Sequence, residues 1–196
     1  EASACDVQGR NREALPGQAR AREEAMSAAL PSAAGARSAR ARLGALLLFA
    51  VAMGWLEGVV VVYIRGLFGM AHGAVTPPPG EVVERFGRLP WLLPTEQSRE
   101  VATLLMLGAV AWMSADRLRA RIGAFLVIFG VWDIVYYLAL YALLRWPPSL
   151  STMDVLFLIP PGPWWYQPVW MPVAISAVMI AVGVALFRRS EPGRVN

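Results

Sequence analysis

The sequence predicts an all-α integral membrane protein, a bundle of four transmembrane helices. Three observations predict it. Apolar residues make up 57% of the 196 and charged residues only 16%, against about 25% charged in a typical soluble domain. Four apolar runs, at about 1.5 Å per helical residue, are long enough to cross a hydrocarbon core of roughly 30 Å. Arginines gather beside these runs in short clusters, as they do on the cytoplasmic side of membrane helices.

The elements follow in order. Residues 1–42 are rich in Ala, Arg, Ser, Gly and Glu without a sustained apolar period, and are expected to form a disordered cytoplasmic tail. Met26 is the first methionine. The sequence from there reads as an ordinary membrane-protein start, so residues 1–25 are expected not to be native. Residues 43–189 form the transmembrane domain, with helices at 43–68, 98–115, 122–146 and 170–187. Residues 190–196 are a short cytoplasmic tail. Arg37, Arg40 and Arg42 precede the first helix, Arg117, Arg119 and Arg121 fill the turn between the second and third, and Arg188 and Arg189 follow the fourth. All three clusters share one side only with four crossings, which places both termini in the cytoplasm. All eighteen basic residues are arginine. With abundant Ala, Gly and Pro, this composition points to a GC-rich genome and a bacterial cytoplasmic (inner) membrane. The arginines therefore read as topology, and no nucleic-acid partner is expected.

The outer connections, 69–97 and 147–169, are rich in Pro and Trp, residues that stop helices and favour the headgroup level. The apolar stretch 155–159 is too short to span and is expected along the outer interface or tucked into the bundle. The two halves also look alike. Gly54, Trp55 and Glu57 match Gly130, Trp132 and Asp133 at an offset of about 75 residues, each followed by a Tyr-containing run and an arginine. A 2+2 parallel repeat about an axis along the membrane normal would produce this pattern.

Glu57 and Asp133 are the candidate intramembrane polar site. Both lie roughly 16–20 Å from the outer ends of their helices. A charge there costs at least about 2.5–3.5 kcal/mol, so each must be paired, hydrated or protonated. Tyr136 and Tyr137 are placed to donate to Asp133. Arg65 and Arg145 lie about 12 Å and about 18 Å along the axis from the acid of their own helix. They are expected to snorkel to the outer headgroups. Ala50, Gly54 and Gly58 form a small-residue ridge for helix packing, and Ala177, Ala181 and Ala185 a similar one. Asp154 is expected to cap a turn. His72 is expected to be an ordinary interfacial residue. With one cysteine, Cys5, and one histidine, no disulfide or metal set is expected. There is no Gly-rich phosphate loop or nucleophile elbow, and no cofactor is expected.

The run Phe129-Gly130-Val131-Trp132-Asp133-Ile134-Val135-Tyr136-Tyr137 resembles a family of bacterial four-helix integral membrane proteins with no assigned activity. So do Trp146-Pro147-Pro148-Ser149-Leu150, the stretch from Asp154 to Pro160, and Glu57 with Tyr63 and Arg65. The resemblance covers about residues 43–187 and implies architecture alone. Three functions fit the residues. The first is a non-enzymatic accessory subunit or self-associating bundle, whose partners are the lipid bilayer and itself or a larger membrane complex. The second is a proton-coupled carrier or apolar-ligand-binding protein using Glu57 and Asp133. The third is a lipid-acting enzyme with Asp154 near the headgroup. Whether Glu57 and Asp133 border one polar cavity separates the first from the second.

Overall fold

The structure, a computed structural model, describes residues 31–70, 72 and 74–189, with side chains from residue 40 onward. Residues 1–30 and 190–196, which include Cys5 and most of the expected tails, lie outside the described residues. The chain divides into the units Glu1–Arg40 and Ala41–Asn196, and the packing below is that of the second. In chain order the elements are α1 (Pro31–Leu67), α2 (Pro79–Gly87), α3 (Leu92–Met113), α4 (Leu118–Leu144), β1 (Met153–Val155), a 3-10 turn (Pro163–Trp165), β2 (Tyr166–Pro168) and α5 (Trp170–Arg189). Residues 31–42, expected to be disordered, are the first turns of α1; this Ala- and Arg-rich stretch has high intrinsic helix propensity.

Among the described residues three helical stretches, rather than four, are long and apolar enough to cross a membrane: Arg40–Leu67, Leu118–Leu144 and Trp170–Arg189. The fourth expected span, 98–115, falls in α3, whose first turns carry Thr95, Glu96, Gln97, Ser98, Arg99 and Glu100. Its faces are inverted relative to a soluble amphipathic helix. Glu96, Glu100 and Thr103 are buried, as are Leu107 and Ala111 further along the same stripe. Val101, Leu105, Met106 and Trp112 are exposed.

α4 is the most enclosed helix and the centre of the packing. Its buried residues Ala120, Ala124, Ile128 and Trp132 meet Leu46 and Ala50 of α1, Leu107 and Ala111 of α3, and Phe187 of α5. The Ala50, Gly54, Gly58 ridge faces α4 within the chain. A Cβ on Gly54 would lie 2.6 Å from the Trp132 carbonyl oxygen, and one on Gly58 2.7 Å from the Ala139 Cβ. On α5 the inward stripe is Pro172, Ser176, Gly183 and Phe187. The expected ridge of Ala177, Ala181 and Ala185 is exposed, because Gly183 and Ser176 permit closer approach to α4.

The described connections at one end of the bundle pack against the helices. α2 begins at Pro79, a favourable first helical residue. It buries Phe86 edge-on against Phe68, with ring centroids 5.0 Å apart. α4 stops at Arg145, whose φ of 55° places it in the left-handed region with its N–H donated to the Tyr141 carbonyl. The following loop departs from an all-α fold. β1 and β2 pair antiparallel, Asp154 opposite Gln167. Val169 N–H to the Thr152 carbonyl, 3.0 Å, and Leu156 N–H to the Trp165 carbonyl, 2.9 Å, extend the ribbon at its two ends. At the opposite end of the bundle, Arg121 donates to the Ala115 carbonyl at 2.7 Å and lies 3.8 Å above the Trp112 ring, closing the turn from α3 to α4.

The glycine contacts predict a position-specific cost. Gly54→Val should destabilise the detergent-solubilised protein by about 1–3 kcal/mol through overpacking, read as a lowered thermal midpoint. Gly44→Val, where nothing among the described residues lies within 4 Å of the added Cβ, should leave the midpoint within a degree or two. Equal effects would contradict the packing of α1 on α4.

Candidate functional site

The last turns of α1, the first turns of α3 and the second half of α4 enclose a cavity of about 130 Å³, closed over by the β-ribbon and α2. This is room for a few water molecules or a small ligand. Five carboxyl groups line it, from Glu57, Glu96, Glu100, Asp133 and Asp154, together with three guanidinium groups, from Arg65, Arg85 and Arg99. Thus Glu57 and Asp133 do border one polar cavity, but they do not act alone.

Their partners differ. Arg99 donates to Glu57 and, at 2.7 Å, to Glu96, so one guanidinium spans two acids and fastens α3 to α1. Asp133 accepts from the Ser176 hydroxyl of α5 at 2.8 Å. Tyr137, expected to serve Asp133, instead donates to Asp154 at 3.2 Å. The geometry is that of α4: Asp133 is turned towards α5, while Tyr137, one turn on, meets the ribbon. Tyr136 lines the cavity and packs on Tyr137, with ring centroids 4.9 Å apart.

Two expectations are corrected here, those for Arg65 and Asp154. Arg65 does not reach out to headgroups. It is 6% exposed, donates to Thr76 at 3.5 Å and to the Ala74 carbonyl, and lies 4.6 Å above the Trp146 ring. The chain after α1 turns back over it and supplies these acceptors, so burial costs less than a lone cation would. Arg145 does not line the cavity; it is exposed, ends α4 and lies over Tyr141 at 5.7 Å. Asp154 is buried in β1 rather than capping a surface turn. His72 is exposed, in a turn.

Sequence reasoning missed Glu96, Arg99 and Glu100. Glu100 accepts the Leu158 N–H at 3.0 Å on each carboxylate oxygen, while Gln97 donates to the Leu158 carbonyl at 3.1 Å. α3 therefore grips one peptide of the loop from both sides. This settles the stretch 155–159 into the bundle, where Phe157 stacks on Phe129 at 6.5 Å. The missed signal was the spacing of Glu96, Glu100, Thr103 and Leu107, which runs down one helical face.

No family model, curated protein or solved structure matches the chain. The chemistry of the cavity must therefore be read from its own residues. Among the described residues, no three His, Cys, Asp or Glu side chains are grouped to hold a metal ion. Glu57 and Glu96 share Arg99. Glu100, Asp133 and Asp154 take their hydrogen bonds from a backbone N–H, a serine and a tyrosine, and among the described residues none of these three is hydrogen-bonded to an arginine. Of the arginines, Arg85 donates to the Phe68 carbonyl at 2.7 Å and lies 3.9 Å from Glu81. Arg65 keeps a buried Nε without a hydrogen-bond partner among the described residues.

Burial pushes the Asp154 carboxyl up to about 7, opposed by the Val155 N–H, the Tyr137 hydroxyl and the charge of Arg65. Its ordinary value is 3.8, so between these two values the folded protein holds a proton that the unfolded chain has lost. Stability contributed by this group is therefore full below pH 4 and falls as pH rises through 7. Asp154→Asn should flatten that decline, measured as the slope of the thermal midpoint between pH 5 and 8. An unchanged slope would place the titration elsewhere.

Proposed function

We propose that this protein is a four-crossing membrane protein that binds a small ammonium-bearing ligand in the cavity. The observation that carries the reading is the excess of carboxyl groups over guanidinium groups around one cavity. An ammonium ion supplies positive charge and further donors to Glu100, Asp133 and Asp154, which have neutral donors and no hydrogen-bonded arginine among the described residues. Tyr136 and Trp132 add ring faces that attract a cation. Asp133 and Asp154 are the acids assigned to hold it, and Glu57, already matched by Arg99, fixes the frame. Binding through Asp154 is linked to pH, since only its ionised form attracts the cation. An accessory or self-associating role drew on the Gly54 and Gly58 ridge, which is occupied by α4 of the same chain.

In this reading α3 is the fourth crossing. Its exposed Val101, Leu105 and Met106 and its buried acids suit a helix with lipid outside and a polar cavity inside. The arginine clusters support a reading in which both termini face the cytoplasm of a bacterial inner membrane and the cavity lies towards the opposite face. A 2+2 duplication has the support that each acid bonds to the return helix of its own half, Glu57 to Arg99 of α3 and Asp133 to Ser176 of α5.

Reporter fusions after Arg121 and after Arg189 should both report cytoplasm. Opposite locations would remove the fourth crossing.

Calorimetric titration of the protein in lipid nanodiscs with ethylammonium should show saturable binding that strengthens from pH 6 to 8. Potassium at equal ionic strength should not compete. Asp133→Asn and Asp154→Asn should each weaken binding about tenfold or more, the loss of one charge-assisted hydrogen bond, and the Asp154 variant should also lose the pH dependence. Absence of binding, or binding indifferent to both changes, would overturn the proposal.

A further inference from the structure

A second recess, of about 590 Å³, adjoins the charged cavity. The two share Val82, Phe86, Val155, Phe157 and Leu158 as a common wall. The recess has the opposite chemistry. Its remaining surface comes from residues such as Pro79, Val83, Leu93, Pro161 and Tyr166, and among the described residues no charged side chain lines it. Gln97, the amide on its border, already donates to the Leu158 carbonyl. Val83 is 70% exposed, so this apolar surface is open rather than filled by the chain itself.

An isolated hydrophilic cation needs only the first cavity. A ligand filling both spaces must change character along its length, charged at one end and hydrocarbon at the other. We infer that the ligand is an amphiphile, with an ammonium head among Asp133, Asp154 and Glu100 and an alkyl tail along Val83, Leu93 and Phe157. This rests on the ammonium reading above and adds the tail. The β-ribbon and α2 border both spaces, so they would sense the head and the tail of one molecule. The head chemistry is shared by free alkylamines and by lipids with an amine headgroup.

The test compares ethylammonium with hexylammonium in phosphatidylcholine nanodiscs, with uptake by empty nanodiscs subtracted. Each methylene withdrawn from water is worth about fourfold in affinity, so four extra methylenes, even partly covered, should tighten binding by at least about tenfold. Val83→Gln and Leu93→Gln, both in the recess, should remove that gain while leaving ethylammonium binding unchanged. Equal affinity for the two amines would overturn the amphiphile and leave the ammonium site standing. Failure of both to bind would remove both proposals. A gain that survives both variants would show that the tail enters the bilayer instead, and would also overturn the inference. Adding phosphatidylethanolamine to the nanodiscs separates the sources. Competition against hexylammonium would identify a lipid headgroup as the amine, and lack of competition would identify a free alkylamine; each upholds the amphiphile.

Discussion

Arg99 links two acids, Glu57 on α1 and Glu96 on α3, at one end of an otherwise apolar helix bundle. In such surroundings a charge without a partner is costly, and removing one member of a pair strands the other. The orientation of α3 follows from this. Its Glu96, Glu100 and Thr103 stripe must turn inward towards the arginine and the cavity, which leaves Val101, Leu105 and Met106 outside. Once α3 is so turned, Gln97 and Glu100 meet the Leu158 peptide and hold the loop that closes the cavity.

The loop is held a second time at its base. Trp146 is fully buried beneath Arg65, and Tyr137 reaches Asp154 in β1. Aromatic residues that would be headgroup anchors in an open loop here serve as the floor for a cation. The price of this arrangement is visible in the indole N–H groups of Trp132 and Trp146 and in the Arg65 Nε, buried without partners among the described residues. Unsatisfied donors cluster where a fold gives up local stability, and here they lie at or beside the cavity. Its carboxylates, by contrast, have acceptor capacity to spare. A bound cation would use that capacity, and the apolar recess alongside would accept whatever hydrocarbon the cation carries.

The close helix contacts explain why these charges can be held in place. Gly54 on α1 and Gly130 on α4 bring backbones within reach of the Trp132 and Ser176 carbonyls. The second contact also sets Ser176 opposite Asp133. Packing of small residues therefore decides which hydroxyl serves which acid. The same approach turns Ala177, Ala181 and Ala185 outward, so a pattern that looked like an interface by composition is surface.

The sequence by itself determined the helical character, three of the four expected spans, and the depth of Glu57 and Asp133 along their helices. Each depends on local quantities: run length, mean hydropathy and the depth of a residue along its own helix. Only the tertiary structure decided that Arg65 turns inward, that Asp154 is buried, and that Arg99 and Glu100 belong to the site. These depend on which helices face one another and on where a Pro- and Trp-rich loop folds back. An arginine near a helix end has the same local sequence whether it meets headgroups or a tryptophan ring. Its partners, Thr76 and Trp146, are distant in the chain and come together only when the loops close over the bundle.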